Sequence, residues 1–528
     1  MARVFLLTLI LFFTGSYHQD AEPEFDIIIK NGMLLDGTGN PWVKRDVAIT
    51  GHRIAAIGRF EAGQAKKVID ATGLYVAPGF IDTHSHAASG LSDSELSSAR
   101  PLLAQGISTV VVNPDGGGAT DLQAQQQRLL EHGIGVNVAQ MVPHGAIRNQ
   151  IMGMEDRAPS KDELKQMLAL VKEGMEAGAV GMSTGLFYAP ASFSETDEII
   201  EFARVVYQFD GVHQSHIRDE SDYSVGVVTA VQEIIDISAA TDITGIISHI
   251  KALGPGVWGK SEEIVNNINR ARYENGLEIF ADQYPYEASA TSLMAALVPR
   301  WAAAGGRQAF LERLTNTETK AEIIDAVNEN LKRRGGADRI VMRHVPFNTN
   351  LEGVSLQAIS EMMNTSPAEA TLSLLKEGSP GIVSFNMHED DITRFMSQPW
   401  VMTASDGGFV AKGEGVPHPR NYGSFPRRIQ HYTFDKQVTD LAATIRSMTS
   451  LPATVYRLQE RGLIKQGYIA DIVIFDPNTI SDNATFTEPH QLSSGVIWML
   501  INGDISIRKQ TFTGTRAGKI LHRGVSAQ

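Results

Sequence analysis

Short apolar runs alternate with stretches of helical periodicity through the middle of this 528-residue chain, and this pattern constrains the fold most. The runs lie at about 108–113, 136–143, 179–186, 212–217, 244–251, 278–286 and 401–406, and each follows a helical stretch. A further strand ends at His86, which brings the total to eight. Eight strand–helix units close a (β/α)8 barrel. We therefore predict an α/β fold in which residues 79–461 form this barrel.

Two regions depart from the alternation. The interval from about 290 to 398 is too long for one crossover, so we predict an inserted helical lid, with helices at 295–314 and 320–332. Both chain ends are rich in short strands, at 25–37, 46–58 and 67–79 and again at 470–477 and 496–507, where Asn502-Gly503 signals a hairpin. Residues 21–78 and 462–528 therefore predict a small β-sandwich domain built from both ends.

Composition excludes several classes of function. The net charge is −14, and no basic cluster is longer than Lys332-Arg333-Arg334, which argues against a nucleic-acid partner. The chain contains no cysteine, so disulfides, thiolate metal sites and a cysteine nucleophile are excluded. A hydrophobic content of 43% is typical of a globular protein with a large core.

Residues 1–20 have the pattern of a cleavable signal peptide. Arg3 precedes an apolar run at 4–13, and small residues at 14–16 offer a cleavage site. This run is too short to cross a bilayer, and the polar residues at 18–20 disfavour a buried first strand. We expect a secreted or periplasmic protein without stable membrane insertion.

Side chains that bind metals recur at the ends of the predicted strands. His84 and His86 lie two apart on a strand and share one face, a weak signal alone because structural histidines show the same spacing. His216, His249 and Asp406 end later apolar runs. Because the C-terminal mouth of a parallel barrel gathers its strand ends, the five residues together predict a metal site.

Two familiar motifs are weaker. Residues 254–259 match the dinucleotide-binding pattern, but Pro255 removes a backbone donor and the motif comes late in the chain. Ser183 lies in a Gly-x-Ser-x-Gly pattern, with Asp406 and His418 following in the chain order of a serine hydrolase. The residues after it do not resemble the start of the required helix. A metal-independent serine hydrolase that uses Ser183 remains an alternative.

The ordered motifs resemble the amidohydrolase superfamily, and within it the N-acyl-D-amino-acid deacylase (D-aminoacylase) family. The resemblance extends over about residues 25–525 and rests on residues 79–86, 215–220, 248–251, 282–286, 405–407, 418–423 and 461–477. It implies a zinc-dependent hydrolase with one or two ions. Its expected reaction is hydrolysis of the amide bond of a small N-acyl amino acid, in particular an N-acyl-D-amino acid, by a metal-activated water.

The resemblance also implies roles for the strand-end residues. His84 and His86 would hold one ion, and His216 and His249 the other. Asp406 would contact the bound water and act as general base and then general acid. His213 lies on the opposite strand face from His216, so we expect it to be structural.

One departure from the family concerns the ligand after the second strand. Relatives carry a metal-binding cysteine there, whereas residues 112–116 of this chain read Val-Asn-Pro-Asp-Gly. Asp115 is the candidate replacement, with a simple turn residue as the alternative. A carboxylate is a harder ligand than a thiolate, so manganese and cobalt are alternatives to zinc. The carbamylated lysine of other superfamily members is excluded because residues 179–190 contain no lysine.

A substrate carboxylate requires cationic or donor partners. Arg420 is expected to bind it bidentately, and Lys251 offers a point charge. Tyr188 and Tyr284 match family positions for hydroxyl donors, with packing at the rim as an equal alternative.

The remaining expectations concern the residues around the metal ligands and the alternative functions. His144 and Arg148, at the end of the third strand, are expected to support the ligands from behind. A dipeptidase or cyclic-amide hydrolase would use the same metal chemistry, and a non-catalytic protein that captures a small ligand is a rival of another class. The oligomeric state stays open, a homo-oligomer included.

Overall fold

A closed parallel barrel forms the centre of the computed structural model, which describes residues 23–525. Its first seven strands are Phe80–His86, Ile107–Val112, Asn137–Pro143, Gly181–Gly185, Val212–His216, Thr244–Ile247 and Ile279–Gln283. The eighth strand is split: Val401–Thr403 pairs with the seventh strand, and Gly407–Gly408 pairs with the first. The ring is therefore closed, and the predicted (β/α)8 barrel is confirmed. The predicted signal segment, residues 1–20, lies outside the described residues.

Helices surround the barrel because its strands are apolar and buried, as parallel strands require. In chain order they are Ala88–Leu91, Arg100–Leu103, Leu122–Leu130, His144–Met152, Lys161–Glu176, Thr196–Tyr207, Val227–Thr241, Ser261–Tyr273, Glu389–Met396, Arg420–Arg427, Leu441–Met448 and Ser450–Val455. A π-helix, Arg428–Asp435, and a short 3-10 helix, Ala191–Phe193, complete the layer. None of the helices within residues 23–525 has the length and apolar character that a membrane crossing needs.

The two chain ends form two further sheets, and the larger one combines strands from both ends as predicted. The four-stranded sheet has the order Arg53–Gly58, Asp46–Thr50, Phe25–Lys30, Ala65–Asp70. The seven-stranded sheet has the order Thr511–Phe512, Asp504–Arg508, Val496–Ile501, Ile472–Phe475, Tyr75–Pro78, Met33–Leu34, Val43–Lys44. Apolar side chains from both sheets share one buried cluster, and Ile520–Leu521 returns to pair with the third barrel strand.

The insertion between the seventh and eighth strands is largely helical, as predicted, but it also contains a sheet that we did not predict. It contains an antiparallel sheet of Ala288–Ser292, Gly381–Phe385 and Ile340–His344, in that order. Its helices are Leu293–Leu297, Arg300–Ala303, Gly306–Arg313, Thr317–Arg333, Leu356–Met362 and Pro367–Glu377, with 3-10 turns at Ala337–Arg339 and Thr349–Leu351. The helix predicted at 295–314 is wrong because Pro299 and the positive φ angles of Gly305 and Gly306 divide it into three. The helix predicted at 320–332 lies within Thr317–Arg333.

Candidate metal centre

The candidate ligands meet at the C-terminal mouth of the barrel, in a cavity of about 1040 Å³. His86, Asp115, His216, His249 and Asp406 all line it. The opposite wall comes from the insertion, whose strand Ala288–Ser292 faces the barrel mouth. The site therefore lies between the barrel and its insertion, a common position for a binding pocket.

One group of potential ligands contains His84, His86, Asp115 and Asp406, whose ligand atoms all lie within 4.8 Å of one another. Nε2 of His84 lies 3.3 Å from Oδ1 of Asp115, and Nε2 of His86 lies 3.3 Å from Oδ2. Nε2 of His86 is also 3.2 Å from Oδ1 of Asp406. Two imidazoles and two carboxylates thus face one point, a donor set that suits zinc or manganese.

A second group contains Asp115, His216 and His249. Nε2 of His249 lies 3.4 Å from Oδ1 of Asp115, and Nδ1 of His216 lies 3.7 Å from the same oxygen. Asp115 therefore belongs to both groups and has the position of a bridge between two cations. Asp115 is the residue that the family resemblance suggested as the replacement for a cysteine ligand, and its role as a ligand stays a prediction.

The backbone at the ligands is strained. Asp115, Asp406 and His249 have φ angles of 56°, 49° and 34°, in the left-handed region that non-glycine residues rarely adopt. Gly185 makes room for the first of these, because a Cβ on it would lie 2.1 Å from the backbone oxygen of Asp115. Strain of this kind costs about 1–3 kcal/mol per residue and clusters at functional sites.

Unsatisfied polar atoms test whether this site fits a cation. Nε2 of His84 and Oδ1 of Asp115 are buried and make no hydrogen bond. Buried polar atoms are nearly always paired, because an unpaired one costs free energy. These two atoms belong to the ligand groups and face each other's side chains, so the residues present fit a divalent metal.

Charges within the site set the ionisation of the ligands. Burial alone would raise the pKa of Asp115, but the neighbouring His84 and His249 hold it well below the ordinary value. Burial opposes ionisation of Asp406 too, and Arg420 reverses the effect and lowers the pKa of that carboxyl. Burial lowers the pKa of His216 to about 3, so its ring is neutral, the form that binds a metal.

Glu220 contacts a ligand histidine, although no role for it was predicted from the sequence. Its Oε1 lies 3.0 Å from Nδ1 of His249 and accepts a hydrogen bond of 2.5 Å from Nζ of Lys251. A carboxylate behind a ligand histidine fixes the orientation and tautomer of the ring. Glu220 lies in the motif at 215–220, but its contact with His249 depends on the packing of adjacent strands.

The predicted substrate-binding residues also line the cavity. Arg420 pairs with Asp406 at 2.7 Å, and its guanidinium lies 4.7 Å from the ring centre of Tyr284. The hydroxyl of Tyr284 is buried without a partner, whereas that of Tyr188 accepts a hydrogen bond of 3.3 Å from Thr291. Lys251 is buried beside His249.

His144 and Arg148 bond to a residue outside the ligand groups. Nε2 of His144 lies 2.9 Å from Oε1 of Glu198, and Arg148 pairs with the other oxygen of that carboxylate. Their contacts thus join two helices of the outer layer, unlike the support from behind the ligands that we expected. His213, expected to be structural, lies 2.9 Å from the hydroxyl of Thr184.

The contacts of Ser183 and His418 are not those of a serine nucleophile and its general base. Ser183 is buried and donates a hydrogen bond of 2.6 Å to the backbone oxygen of Asn113. His418 uses one ring nitrogen to contact the oxygen of Ala288 and the other to accept from the backbone of Arg420. Gly181, in the same motif, lets the fifth strand approach, since a Cβ there would lie 2.2 Å from a backbone oxygen of that strand. The motif is therefore explained by packing.

Comparison with known sequences agrees with the geometry of the site. Residues 67–507 match the model of the amidohydrolase family, and the chain belongs to this family. A D-aminoacylase from Alcaligenes xylosoxydans xylosoxydans is 32% identical, over 96% of this chain and 99% of the relative. An N-acyl-D-glutamate deacylase from the same organism is also 32% identical, over 96% of this chain and 98% of the relative.

A solved structure has the same architecture. The N-acyl-D-glutamate deacylase from Bordetella bronchiseptica, complexed with zinc and a phosphonate inhibitor that mimics the tetrahedral intermediate, superposes with a TM-score of 0.81. It is 32% identical, and the match covers 94% of this chain and all of that one.

Proposed function

We propose that this protein is a zinc-dependent hydrolase that cleaves the amide bond of N-acyl-D-amino acids. The observation that carries the proposal is the carboxylate of Asp115, which two groups of potential metal ligands share beside Asp406. The deacylases that resemble this chain over nearly its whole length support the choice of substrate. The zinc in the Bordetella bronchiseptica structure supports the choice of metal.

The ligand groups would hold one or two cations. A bound cation would supply Lewis-acid polarisation of the amide carbonyl and would make water nucleophilic near neutral pH. Asp406 takes a proton from the attacking water at a carboxylate oxygen and delivers it to the nitrogen as the carbon–nitrogen bond breaks. The products are a carboxylic acid and a free amino acid. Arg420 keeps Asp406 ionised and fixes its orientation.

The groups around the cavity account for recognition of an amino-acid carboxylate. Arg420 and Lys251 provide positive charge, and the unpaired hydroxyl of Tyr284 provides a donor. All three line one side of the cavity next to the ligand residues, so a carboxylate held by them would place the adjacent amide near Asp406.

The proposal is tested by metal analysis together with hydrolysis of N-acetyl-D- and N-acetyl-L-amino acids. We expect bound zinc, turnover of the D-series, loss of activity after chelation and recovery when zinc is restored. Asp406→Asn should lower kcat by at least about 100-fold while the fold is retained, because general acid–base catalysis contributes that much or more. Asp325→Asn, an exposed change on an insertion helix, is the control and should keep full activity. Undiminished hydrolysis by metal-free protein would refute the proposal.

A further inference from the structure

Three consecutive backbone N–H groups around Asp406 all have hydrogen-bond acceptors. The N–H of Ser405 donates 2.8 Å to Oδ1 of Asp82, and that of Asp406 donates 2.9 Å to the backbone oxygen of His84. The N–H of Gly407 donates 2.9 Å to Oγ of Ser405. These residues lie in the gap between the two halves of the eighth strand. Side chains therefore supply acceptors where the regular pairing of the barrel is interrupted.

The hydroxyl of Ser405 connects two of these bonds. It donates to Oδ2 of Asp82, on the first barrel strand, and accepts from the N–H of Gly407. Ser405 and Asp82 are both buried, so the protein itself has to satisfy their polar atoms. A Cβ on Gly407 would lie 3.1 Å from the hydroxyl, so the glycine leaves room for it. Ser405 thus links the first strand to the residue that follows Asp406.

Asp406 requires such restraint because its φ angle of 49° lies in the left-handed region. Residues in this region persist only where the surrounding contacts determine their conformation. The side chain of Asp406 has its own contacts: Oδ2 lies 2.7 Å from Arg420, and Oδ1 lies 3.2 Å from Nε2 of His86. The Ser405 hydroxyl fixes the peptide group on the other side of the same residue. Rotation of that peptide group would carry the carboxylate away from His86.

We propose that Ser405 is the positioning residue for Asp406, an inference that rests on the proposed hydrolase function. Its hydroxyl, held by Asp82, keeps the Asp406–Gly407 peptide group in the orientation that directs the carboxylate toward the attacking water. Ser405 is not among the residues that line the cavity, so it acts through Asp406 and not on the substrate.

A double-mutant cycle tests whether Ser405 acts through Asp406. Ser405→Ala should lower kcat by at least about 10-fold, because a misplacement of about 1 Å can lower a rate by about 100-fold. KM should change less than kcat. In the Asp406→Asn background the same substitution should leave the residual kcat unchanged, since no general base is left to position. An equal fall in both backgrounds would overturn the proposal.

The visible absorption spectrum of the cobalt-loaded protein gives a readout that does not depend on turnover. Asp406 belongs to a group of potential ligands, so displacement of its carboxylate should change the spectrum of Ser405→Ala. Thr403→Val is the matched control, because it removes another buried hydroxyl bond, 3.0 Å to Ser447, two residues before Ser405. It should lower the thermal midpoint but keep the wild-type kcat and spectrum. A wild-type spectrum in Ser405→Ala would contradict the proposal.

Failure of this inference is distinguishable from failure of the proposed function. A zinc-loaded wild type that hydrolyses neither the D- nor the L-series would refute the function, while the cobalt spectrum would still report whether Ser405 holds Asp406. An active wild type whose kcat survives Ser405→Ala would overturn the inference alone. Ser405→Cys fills the same space with a weaker donor and should lower kcat less. It replaces Ser405→Ala in the cycle if the alanine variant does not fold.

Discussion

Two buried polar networks lie at opposite ends of the barrel, and they differ in how completely they are paired. At the C-terminal mouth, ligand atoms of His84 and Asp115 make no hydrogen bond. At the other end, Asp471 pairs with Arg461 and accepts hydrogen bonds from the side chain of Asn137 (3.0 Å) and the backbone of Asn502 (2.7 Å).

The second network connects the chain ends to the barrel. Asn137 begins the third barrel strand, and its side-chain oxygen accepts 2.8 Å from Asn502, which lies between two strands of the small domain. Arg461 also donates 2.9 Å to Asn502. Both networks contain buried charge, but only this one satisfies it internally. A saturated network stabilises the fold, whereas the unpaired atoms at the mouth lie within the groups that could bind a cation.

The largest effect should follow from Asp115→Asn. Asparagine tolerates the left-handed φ of this position and keeps the volume, so the change removes only the shared charge. We expect metal affinity to fall by at least about 100-fold, since even the outer partners of ligands contribute 10- to 100-fold. Hydrolysis should be lost, while the variant still folds. Metal analysis measures the zinc content, and thermal unfolding checks that the variant is folded. Retained zinc would show that Asp115 is only a turn residue.

Asp471→Asn should have the opposite consequences. Removing one partner of a buried ion pair leaves Arg461 as an unpaired cation and costs about 3–5 kcal/mol in the free energy of unfolding. The thermal midpoint should fall, and the zinc content of the folded protein should not change. A variant that loses zinc at wild-type stability would remove the distinction between the two networks.

Whether a network can be predicted from sequence depends on where its residues lie along the chain. The histidines of the mouth follow apolar runs that strand periodicity places at one end of a barrel, so His84, His86, His216 and His249 were predicted together. Asp115 was suggested only by the family resemblance, which implies a cysteine ligand after the second strand. The lower network joins residues from both chain ends, such as Asn137 and Asn502, whose contact depends on how the two domains dock.

Residues of the insertion were harder to predict for a local reason. Arg343, which lines the cavity from the insertion, lies in a region without the strand–helix alternation, and its direction depends on a bulge and on a glycine in another strand. The helix predicted at 295–314 fails because its apolar pattern continues through a proline and two glycines. Periodicity reports which face is buried, and it does not report where the backbone changes direction.

A third buried polar network surrounds Glu198, and its disruption should give the smallest effect. It holds His144 and Arg148, but Nδ1 of His144 and Nε of Arg148 remain buried without partners. Glu198→Gln should lower the free energy of unfolding by about 1–3 kcal/mol, because it weakens the pairing of buried donors. Zinc content should not change, since neither neighbour belongs to the ligand groups.

The dependence on pH provides a second measure of the Glu198 network. Burial opposes ionisation of Glu198, but His144 and Arg148 prevail, so its pKa in the folded protein is lowered. A lowered carboxyl pKa contributes stability above the unfolded pKa of about 4.3, and this contribution is lost as the pH falls through the folded pKa. The difference in thermal midpoint between wild type and Glu198→Gln should therefore be full near pH 7 and shrink in acid. The opposite outcome is a Glu198→Gln variant that loses zinc at unchanged stability. It would show that His144 and Arg148 support the metal ligands, as expected from the sequence.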